Sequence, residues 1–368
     1  MHKIGILTFH GSHNYGSMLQ AYALQHYLES IGHKVKVINL RPPKNRRMYA
    51  FPLDPRTRYR KRAIKTILHV NRLYGESLKW MKFEKFLSND IHLTEKVYSS
   101  WQDVKKDINK QKFDIIITGG DQIWNMRCYD FDESYYLPDK IDGIRKISYG
   151  PSMGPNLLRT ATDEEISFIQ THLADYDAIS VREAEMEEFL SKLLKKEIQV
   201  VADPAILLKA EDYTSCIKKE PIIKGKYVFY YSPFKNEVAE NIALLIGEQL
   251  KIPVVSPITF NKKMNSYLKV GPWEFLNLFK NAELVIGKSF HLIVFSLLFH
   301  KRFFTIDRTK DSRINNILEY YNLTSRGDIN KENYLQFLDE EINFDRIDAL
   351  LENDRKKSQL FLLNNLSF

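Results

Sequence analysis

The chain has 368 residues, of which 44% are hydrophobic and 27% are charged. This composition is typical of a globular protein, and the length allows two domains of ordinary size. No apolar run approaches the ~20 residues of a membrane span, and residues 4–9 are too few for a signal peptide. The two cysteines, Cys128 and Cys216, lie far apart without metal spacing. We therefore expect a reduced, cytoplasmic protein that meets a membrane only at its inner surface.

Most of the net charge lies in one segment. The formal net charge is +8, from 54 Lys and Arg against 46 Asp and Glu. Residues 44–65, called here the basic segment, carry nine basic side chains and one acid, Asp54. Such a segment attracts nucleic acid, anionic lipid headgroups or a diphosphate-linked substrate, and a solvated arm is the alternative. We expect peripheral contact with an anionic membrane and, without a recognisable nucleic-acid-binding motif, no nucleic-acid partner.

The first 208 residues show alternating strand and helix patterns. Short apolar runs predict strands at residues 3–8, 34–40, 113–118, 145–149, 178–181 and 198–202. Helical spacing predicts helices at residues 17–31, 64–73, 78–87, 163–173 and 183–194. Ser17 is the predicted cap of the first helix, and Gly32 ends it. We predict an N-terminal α/β domain over residues 1–208, with a basic insertion at 44–110.

A second series of elements follows a linker that reaches Gly225. Strands are predicted at residues 226–232, 252–255, 284–286 and 302–306, and helices at 237–250, 273–279, 292–299 and 314–321. The fold prediction is α/β, with two Rossmann-like domains facing across a cleft in a glycosyltransferase-B-like arrangement. The C-terminal domain spans residues 226–338. Residues 339–368 are predicted to form a helical tail that packs back on the N-terminal domain.

The turn after the predicted strand 284–286 is the predicted chemical centre. In parallel α/β units, ligands gather beyond the carboxyl ends of the strands, where a helix N-terminus offers N–H groups. Lys288 and Ser289 stand there to meet an anion, and His291 can move a proton at neutral pH. Alternatively, Ser289 only caps the helix, Lys288 is solvated and His291 is structural.

A polar, glycine-rich turn follows the strand 113–118. It contains Gly119, Gly120, Asp121, Gln122, Trp124 and Asn125. Its glycines let backbone approach a ligand, its polar side chains offer hydrogen bonds, and its indole offers a stacking face, a mixture that suits carbohydrate. A helix cap with a core tryptophan is the alternative interpretation.

Arg182 follows the strand 178–181, and its fork geometry fits a carboxylate or a phosphate. The alternative is an ion pair with Glu183, Glu185 or Asp203. His10 and His13 share the loop before Asn14 but lack a partner set for metal, so we predict no metal site.

Six blocks of sequence, in order, resemble the polysaccharide pyruvyl transferase family. They are Asn14-Tyr15-Gly16 with residues 19–24, residues 119–125, residues 148–150 with 152–154, residues 180–183, residues 202–204, and Ser289-Phe290-His291. The resemblance covers residues 1 to about 326. Three positions depart from the family pattern. Lys288 stands where the family often has Thr-Asp or an Arg-containing turn, Leu292 replaces a usual glycine, and Gly120 replaces a frequent serine.

The resemblance implies a transferase that moves the pyruvate unit of phosphoenolpyruvate onto a hexose of a surface polysaccharide or its lipid-linked precursor. A cyclic ketal forms and phosphate is released, as in exopolysaccharide or capsule synthesis. The implied catalytic residues are His291 and Arg182. The implied donor-binding residues are Lys288, Ser289, Phe290 and Arg182. The implied acceptor-binding residues are Asn14, Tyr15, Gly16, Gly119, Gly120, Asp121, Gln122, Trp124 and Asn125. The resemblance thus makes residues 1–208 the acceptor side and residues 226–338 the donor side. Phosphoenolpyruvate is a co-substrate, and no cofactor is expected.

Two other functions remain open at this point. A glycosyltransferase of the same architecture would use a nucleotide sugar, and release of a nucleotide rather than phosphate would identify it. The other is a non-catalytic glycan- or nucleic-acid-binding protein, which the basic segment supports.

Overall fold

The computed structural model describes residues 1–54, 70–155, 157–258 and 261–367. Most of the basic segment (55–65) and the start of the helix predicted at 64–73 lie outside the described residues. The described chain divides into two compact units. Unit 1 contains residues 1–54, 84–208 and 353–367, and unit 2 contains residues 70–83 and 209–352. Residues 70–83, which the sequence placed in an insertion of the first domain, thus belong to unit 2.

Unit 1 is built on a parallel sheet of six strands among the described residues. They are β1 (Lys3–Leu7), β2 (Lys34–Val37), β3 (Ile115–Gly119), β4 (Arg145–Tyr149), β5 (Ala178–Val181) and β6 (Ile198–Val200). Their order is β2-β1-β3-β4-β5-β6, and Ile4 of β1 pairs with Val35 on one side and Ile115 on the other. The central strands are apolar along their length because helices cover both faces of such a sheet.

The helices of unit 1 follow its strands in the chain. They are α1 (Tyr15–Ser30), α2 (Pro43–Met48), part of α3 (Val70–Asn89), α4 (Trp101–Gln111), α5 (Leu157–Thr160), α6 (Asp163–Leu173) and α7 (Ala184–Leu194). Helix α4 was not predicted, although Ser100 caps it by accepting a hydrogen bond from the Asp103 N–H. Short 3₁₀ helices occur at Glu133–Tyr136 and Pro204–Leu207.

Unit 2 contains a second parallel sheet. Its described strands are β7 (Val228–Tyr231), β8 (Val254–Ser256), β9 (Asn265–Ser266), β10 (Leu284–Gly287) and β11 (Phe303–Thr305). The order is β11-β10-β7-β8-β9. Its helices are α8 (Ala210–Cys216), α9 (Glu237–Leu250), α10 (Pro272–Asn281), α11 (Phe290–Leu298), α12 (Ser312–Tyr320), α13 (Tyr334–Leu338) and the first residues of α14 (Phe344–Leu366).

The last residues of α14 pack on unit 1. Arg355 donates from Nε to the Ile206 carbonyl at 2.9 Å, and the Ala202 N–H donates to the Ser358 hydroxyl at 2.8 Å. The C-terminal residues therefore cover the backbone that follows β6.

Each sheet has a point at which the strand order reverses. In unit 1 it lies between β1 and β3, because β2 is on one side of β1 and the later strands are on the other. In unit 2 it lies between β7 and β10 for the same reason. At such a switch point the two following loops diverge to opposite faces and leave a crevice where ligands bind. The loops after β1, β3, β7 and β10 are therefore the places to look for a site.

Within the part of the chain that the structure describes, no helix combines the length and the apolar character needed to cross a bilayer.

Candidate functional site

The loop after β10 is the turn predicted from the sequence. Strand β10 ends at Gly287, and Ser289 is the N-cap residue of α11. The Ser289 side chain makes no capping hydrogen bond, so capping by its hydroxyl is not its role here. The first-turn N–H groups of a helix have no partner within the helix. This turn thus presents N–H donors and a hydroxyl beside the switch point of unit 2.

Close packing explains the glycine at the end of β10. A Cβ at Gly287 would lie 1.7 Å from the Tyr231 carbonyl oxygen and 3.0 Å from Leu292 Cδ1. No side chain fits at that separation. The side chain of Leu292, one of the departures from the family pattern, lies beside this glycine.

Lys288 is the half-buried cation of the turn. Its Nζ lies 3.4 Å from Oδ2 of Asp307, which follows β11. Lys310 reaches the other oxygen of Asp307 at 2.9 Å. The hydrogen bond from Lys310 and the charge of Lys288 outweigh partial burial and lower the pKa of Asp307. The contact between Lys288 and Asp307 is therefore long. It orients the lysine side chain but binds it only weakly.

His291 lies in the first turn of α11. His291 and Phe290 are each 8% exposed. Their rings meet edge-on, with the ring centroids 5.5 Å apart. Both residues are mainly part of the packing of α11. The Nε2 atom of the imidazole is itself buried.

In unit 1, the loops after β1 and β3 are joined at the switch point. Asn14, not Ser17, is the N-cap of α1, and its Oδ1 accepts hydrogen bonds from the N–H groups of Gly16 (3.0 Å) and Ser17 (3.4 Å). The predicted cap at Ser17 is wrong because the N-cap lies three residues earlier. The Ser17 hydroxyl instead donates to Asp121 Oδ2, which fixes the loop after β3 against α1.

Several of the predicted acceptor residues are buried in unit 1. Tyr15 is 1% exposed. A Cβ at Gly119 would lie 2.1 Å from the Tyr149 carbonyl oxygen, and one at Gly120 would lie 1.7 Å from Gln20 Oε1. Gly120 also has a φ of +67°. These glycines are required for close packing within the protein, rather than for the approach of a ligand as predicted.

The position of Trp124 contradicts the prediction that its indole stacks on a carbohydrate. It is 0% exposed, its Nε1 donates to the Tyr135 carbonyl at 3.1 Å, and its ring stacks on Tyr136 at 5.3 Å. It offers no stacking face to a sugar, and the core alternative describes it. Gln122 and Asn125 remain half-buried and are joined by a 3.0 Å hydrogen bond. Asn14 is a third half-buried amide at this edge.

Arg182 forms a buried ion-pair cluster in unit 1. Its Nη1 donates to Asp203 Oδ2 at 2.8 Å and its Nε to Glu183 Oε1 at 3.0 Å. Burial alone lowers the pKa of Arg182, but the charges of Glu183 and Asp203 outweigh it and raise that pKa. The structure therefore shows the ion-pair alternative. An anionic donor would have to compete with two carboxylates for this guanidinium.

A polar network missed by the sequence analysis surrounds the loop after β1. His13 Nε2 lies 2.8 Å from Glu84 Oε1, and Arg41 contacts both oxygens of Glu84 at 3.2 to 3.3 Å. Nearby, the Tyr49 hydroxyl donates to Asp130 Oδ2 at 2.6 Å, and burial raises the pKa of Asp130. Because these residues come from distant segments, no local sequence motif indicates that they meet.

His10 is a neutral, structural member of the same region. Its nitrogens lie 3.2 Å from the Thr8 carbonyl oxygen and 3.2 Å from Asn39 Oδ1. Burial and the charge of Arg41 lower its pKa to about 4. Among the described residues, no three His, Cys, Asp or Glu side chains are grouped as a metal ion would require.

Solved structures that resemble the chain include UDP-N-acetylglucosamine 2-epimerases and a forosaminyltransferase. A Listeria monocytogenes protein assigned as a UDP-N-acetylglucosamine 2-epimerase has a TM-score of 0.58 at 12% identity, covering 94% of this chain and 90% of that one. The Rickettsia bellii UDP-N-acetylglucosamine 2-epimerase has a TM-score of 0.51 at 10% identity, with 98% and 96% covered. Spinosyn forosaminyltransferase SpnP has a TM-score of 0.50 at 14% identity, with 97% and 95% covered. These likenesses confirm the predicted glycosyltransferase-B-like α/β fold.

The family is shown by the sequence match. The model of the polysaccharide pyruvyl transferase family matches residues 14–310. The chain belongs to this family and is a transferase, as the sequence resemblance predicted. No curated protein sequence matches the chain.

Proposed function

We propose that this protein transfers the pyruvate unit of phosphoenolpyruvate to two hydroxyls of a hexose in a surface polysaccharide or its lipid-linked precursor. The observation that supports the proposal is the family match over residues 14–310, whose last part contains the turn from Lys288 to His291. In this turn a cation, a hydroxyl, helix N–H groups and an imidazole occur within four residues at a switch point.

The donor requires an anion site, which we assign to unit 2. Phosphoenolpyruvate carries a phosphate and a carboxylate, and such groups leave water only if they are paired with cations and hydrogen-bond donors. Lys288 would exchange its 3.4 Å contact with Asp307 for a donor oxygen. The Ser289 hydroxyl and the N–H groups at the start of α11 would bind other oxygens.

The reaction needs proton transfers at carbon and at oxygen. Addition of the first hydroxyl forms an O–C2 bond while the methylene carbon gains a proton and becomes a methyl group. The second hydroxyl forms another O–C2 bond while the C2–OPO₃ bond breaks, and phosphate departs with the remaining proton. One hydroxyl proton thus ends on carbon and the other on phosphate. We assign proton transfer on the donor side to His291 because imidazole gains and loses protons near neutral pH.

We assign the acceptor to unit 1. Asn14, Gln122 and Asn125 are half-buried amides at the carboxyl edge of its sheet. Amides can donate to and accept from sugar hydroxyls. Tyr15, Gly119, Gly120 and Trp124 are left out of this assignment because they serve packing.

The first test is the identity of the donor. With phosphoenolpyruvate and a hexoside acceptor, one phosphate should be released for each ketal methyl group detected by NMR. Lys288→Met should raise the KM for phosphoenolpyruvate by about 10- to 100-fold, since a hydrogen bond to a charged group contributes about 1.5–3 kcal/mol. Lys226→Met is the matched control. It removes a similar pair, 3.3 Å from Glu283, at the amino ends of β7 and β10.

Two results would contradict the proposal. Release of a nucleotide from a UDP-sugar, with no phosphate from phosphoenolpyruvate, would indicate a glycosyltransferase. An equal effect of both lysine substitutions would remove Lys288 from the donor site.

We also propose that the basic segment attaches the protein to anionic headgroups near a lipid-diphosphate-linked acceptor. In its described part, Lys44 and Arg47 are exposed, while Arg46 is hydrogen-bonded to the Arg41 carbonyl at 2.8 Å. Each basic residue near such a surface contributes about 1 kcal/mol. The protein should float with anionic vesicles but not with neutral ones. Unchanged flotation after the basic residues of 44–65 are replaced by glutamine would refute this attachment.

A further inference from the structure

The loop after β1 holds a histidine whose orientation is set by a carboxylate. His13 directly precedes Asn14, the N-cap of α1, at the switch point of unit 1. Its Nε2 lies 2.8 Å from Glu84 Oε1, and its side chain is 11% exposed. The two residues are 71 positions apart in the chain and come from the loop after β1 and from α3. The family resemblance singled out neither of them.

The carboxylate in this pair is held in its ionised form. Arg41 Nη1 lies 3.2 Å from each oxygen of Glu84, and Nη2 lies 3.3 Å from Oε2. Burial raises the pKa of Glu84, but the hydrogen bond from His13 and the charge of Arg41 outweigh burial and lower it. An ionised carboxylate can only accept hydrogen bonds. The proton of neutral His13 is therefore placed on Nε2, and Nδ1 is its basic nitrogen.

Other charged or titratable groups of the described chain surround the pair. The ring of Tyr49, at the end of α2, lies 5.6 Å from the His13 ring, and the Tyr49 hydroxyl is hydrogen-bonded to Asp130. Arg41 approaches from the segment after β2. The described groups around His13 thus include Glu84, which contacts the imidazole directly, Arg41, and His10, whose pKa responds to the charges of both.

We infer that His13, oriented by Glu84, is the general base that removes a proton from an acceptor hydroxyl. This inference rests on the proposed function and deepens it. The pairing of His13 with Glu84 is like that of other catalytic histidines, in which a carboxylate fixes the tautomer of the imidazole and stabilises the imidazolium that forms. In the balanced reaction above, this is the proton of the second hydroxyl, which leaves as the hydroxyl oxygen bonds to C2 and ends on the phosphate.

The experiment compares His13→Gln and Glu84→Gln with the wild-type enzyme, measuring phosphate release from phosphoenolpyruvate across pH. His13→Gln should lower kcat by about 100-fold, leave the KM for phosphoenolpyruvate unchanged and abolish the acidic limb of the pH–rate profile. Glu84→Gln should cause a smaller loss. It should also move that limb to lower pH, because removing the negative charge disfavours the imidazolium.

A second histidine–glutamate pair in unit 1 provides the matched control. His92 Nδ1 lies 2.6 Å from Glu29 Oε1, and the His92 side chain is 60% exposed. Glu29 is in the last turn of α1, about 20 Å along the helix from the residue that follows His13. His92→Gln and Glu29→Gln should leave kcat and the pH profile unchanged.

The outcomes separate the two proposals. Wild-type activity and pH profile in both His13→Gln and Glu84→Gln would overturn the role of His13 while the proposed function stands. A wild-type enzyme that releases no phosphate from phosphoenolpyruvate with any hexoside would overturn the proposed function and this inference together. If His13→Gln does not fold, the shift of the acidic limb in Glu84→Gln decides, since its amide oxygen can still accept the hydrogen bond from His13. No shift would overturn the inference.

Discussion

Replacing His291 by alanine or glutamine is expected to lower kcat for ketal formation by about 10³–10⁴-fold, the upper range for a positioned acid or base. The reason is the protonation of the methylene carbon. Protonation of carbon is slow, and at neutral pH water is a much weaker acid for this step than a positioned imidazolium. His291 is 8% exposed in the first turn of α11, so no bulk buffer molecule can take its place. Phosphate release under saturating phosphoenolpyruvate and acceptor measures the loss.

His300→Ala is the control for this prediction. His300 lies just beyond the C-terminal end of α11, where its Nε2 is 2.8 Å from Asp348 Oδ1 and its side chain is 48% exposed. Its removal should leave kcat unchanged. Because His291→Ala opens a small cavity, His291→Gln keeps the volume and separates loss of the proton carrier from loss of packing. Wild-type turnover in His291→Gln would remove this residue from the mechanism.

Replacing Arg182 by alanine is expected to lower the free energy of unfolding by about 3–5 kcal/mol. Asp203 is 1% exposed and would remain as a buried carboxylate without the guanidinium that faces it at 2.8 Å. Glu183 would lose its partner at the same time. Urea denaturation followed by circular dichroism measures the change. We expect the KM for phosphoenolpyruvate to change little under conditions in which the variant is folded.

Arg127→Ala provides the comparison. Arg127 also pairs with a carboxylate of unit 1, Glu165, at 3.1 Å, but its side chain is 40% exposed. Solvent screening limits such a pair to about 1 kcal/mol or less. If Arg182→Ala kept wild-type stability and raised the KM for phosphoenolpyruvate, the original prediction of a donor-binding arginine would be restored.

Most strands were predictable because each is a short apolar run between polar or glycine-rich segments. The strand at 145–149 and the helices at 163–173 and 237–250 agree with their predicted bounds. Helix α4 was not predicted because Lys, Asp and Gln occupy most of its positions and few of its residues are buried. Strand β9 has two exposed residues and no apolar signal. Prediction thus succeeded where burial leaves a pattern in the sequence.

The candidate site was predictable in its outline and not in its contacts. The turns after β3 and β10 were found because polar and glycine residues interrupt apolar strands there. Which of those residues face a ligand was not visible, because a glycine that packs against a carbonyl and one that faces a ligand look alike in sequence. Trp124 and Gly120 are examples of this ambiguity. The contact between His13 and Glu84 could not be predicted from the sequence, because the two residues come together only in the folded chain.

The amino-acid sequence by itself determined the alternation of strands and helices, the family, and the place of His291 at the start of a helix. These follow from local periodicity and from contiguous motifs. Tertiary structure alone decided that Arg182 is held between Glu183 and Asp203, that Trp124 is in the core, and that Glu84 orients His13. The physical reason is that the ionisation and exposure of a side chain depend on neighbours brought together by the parallel sheets, and those neighbours are distant in the chain.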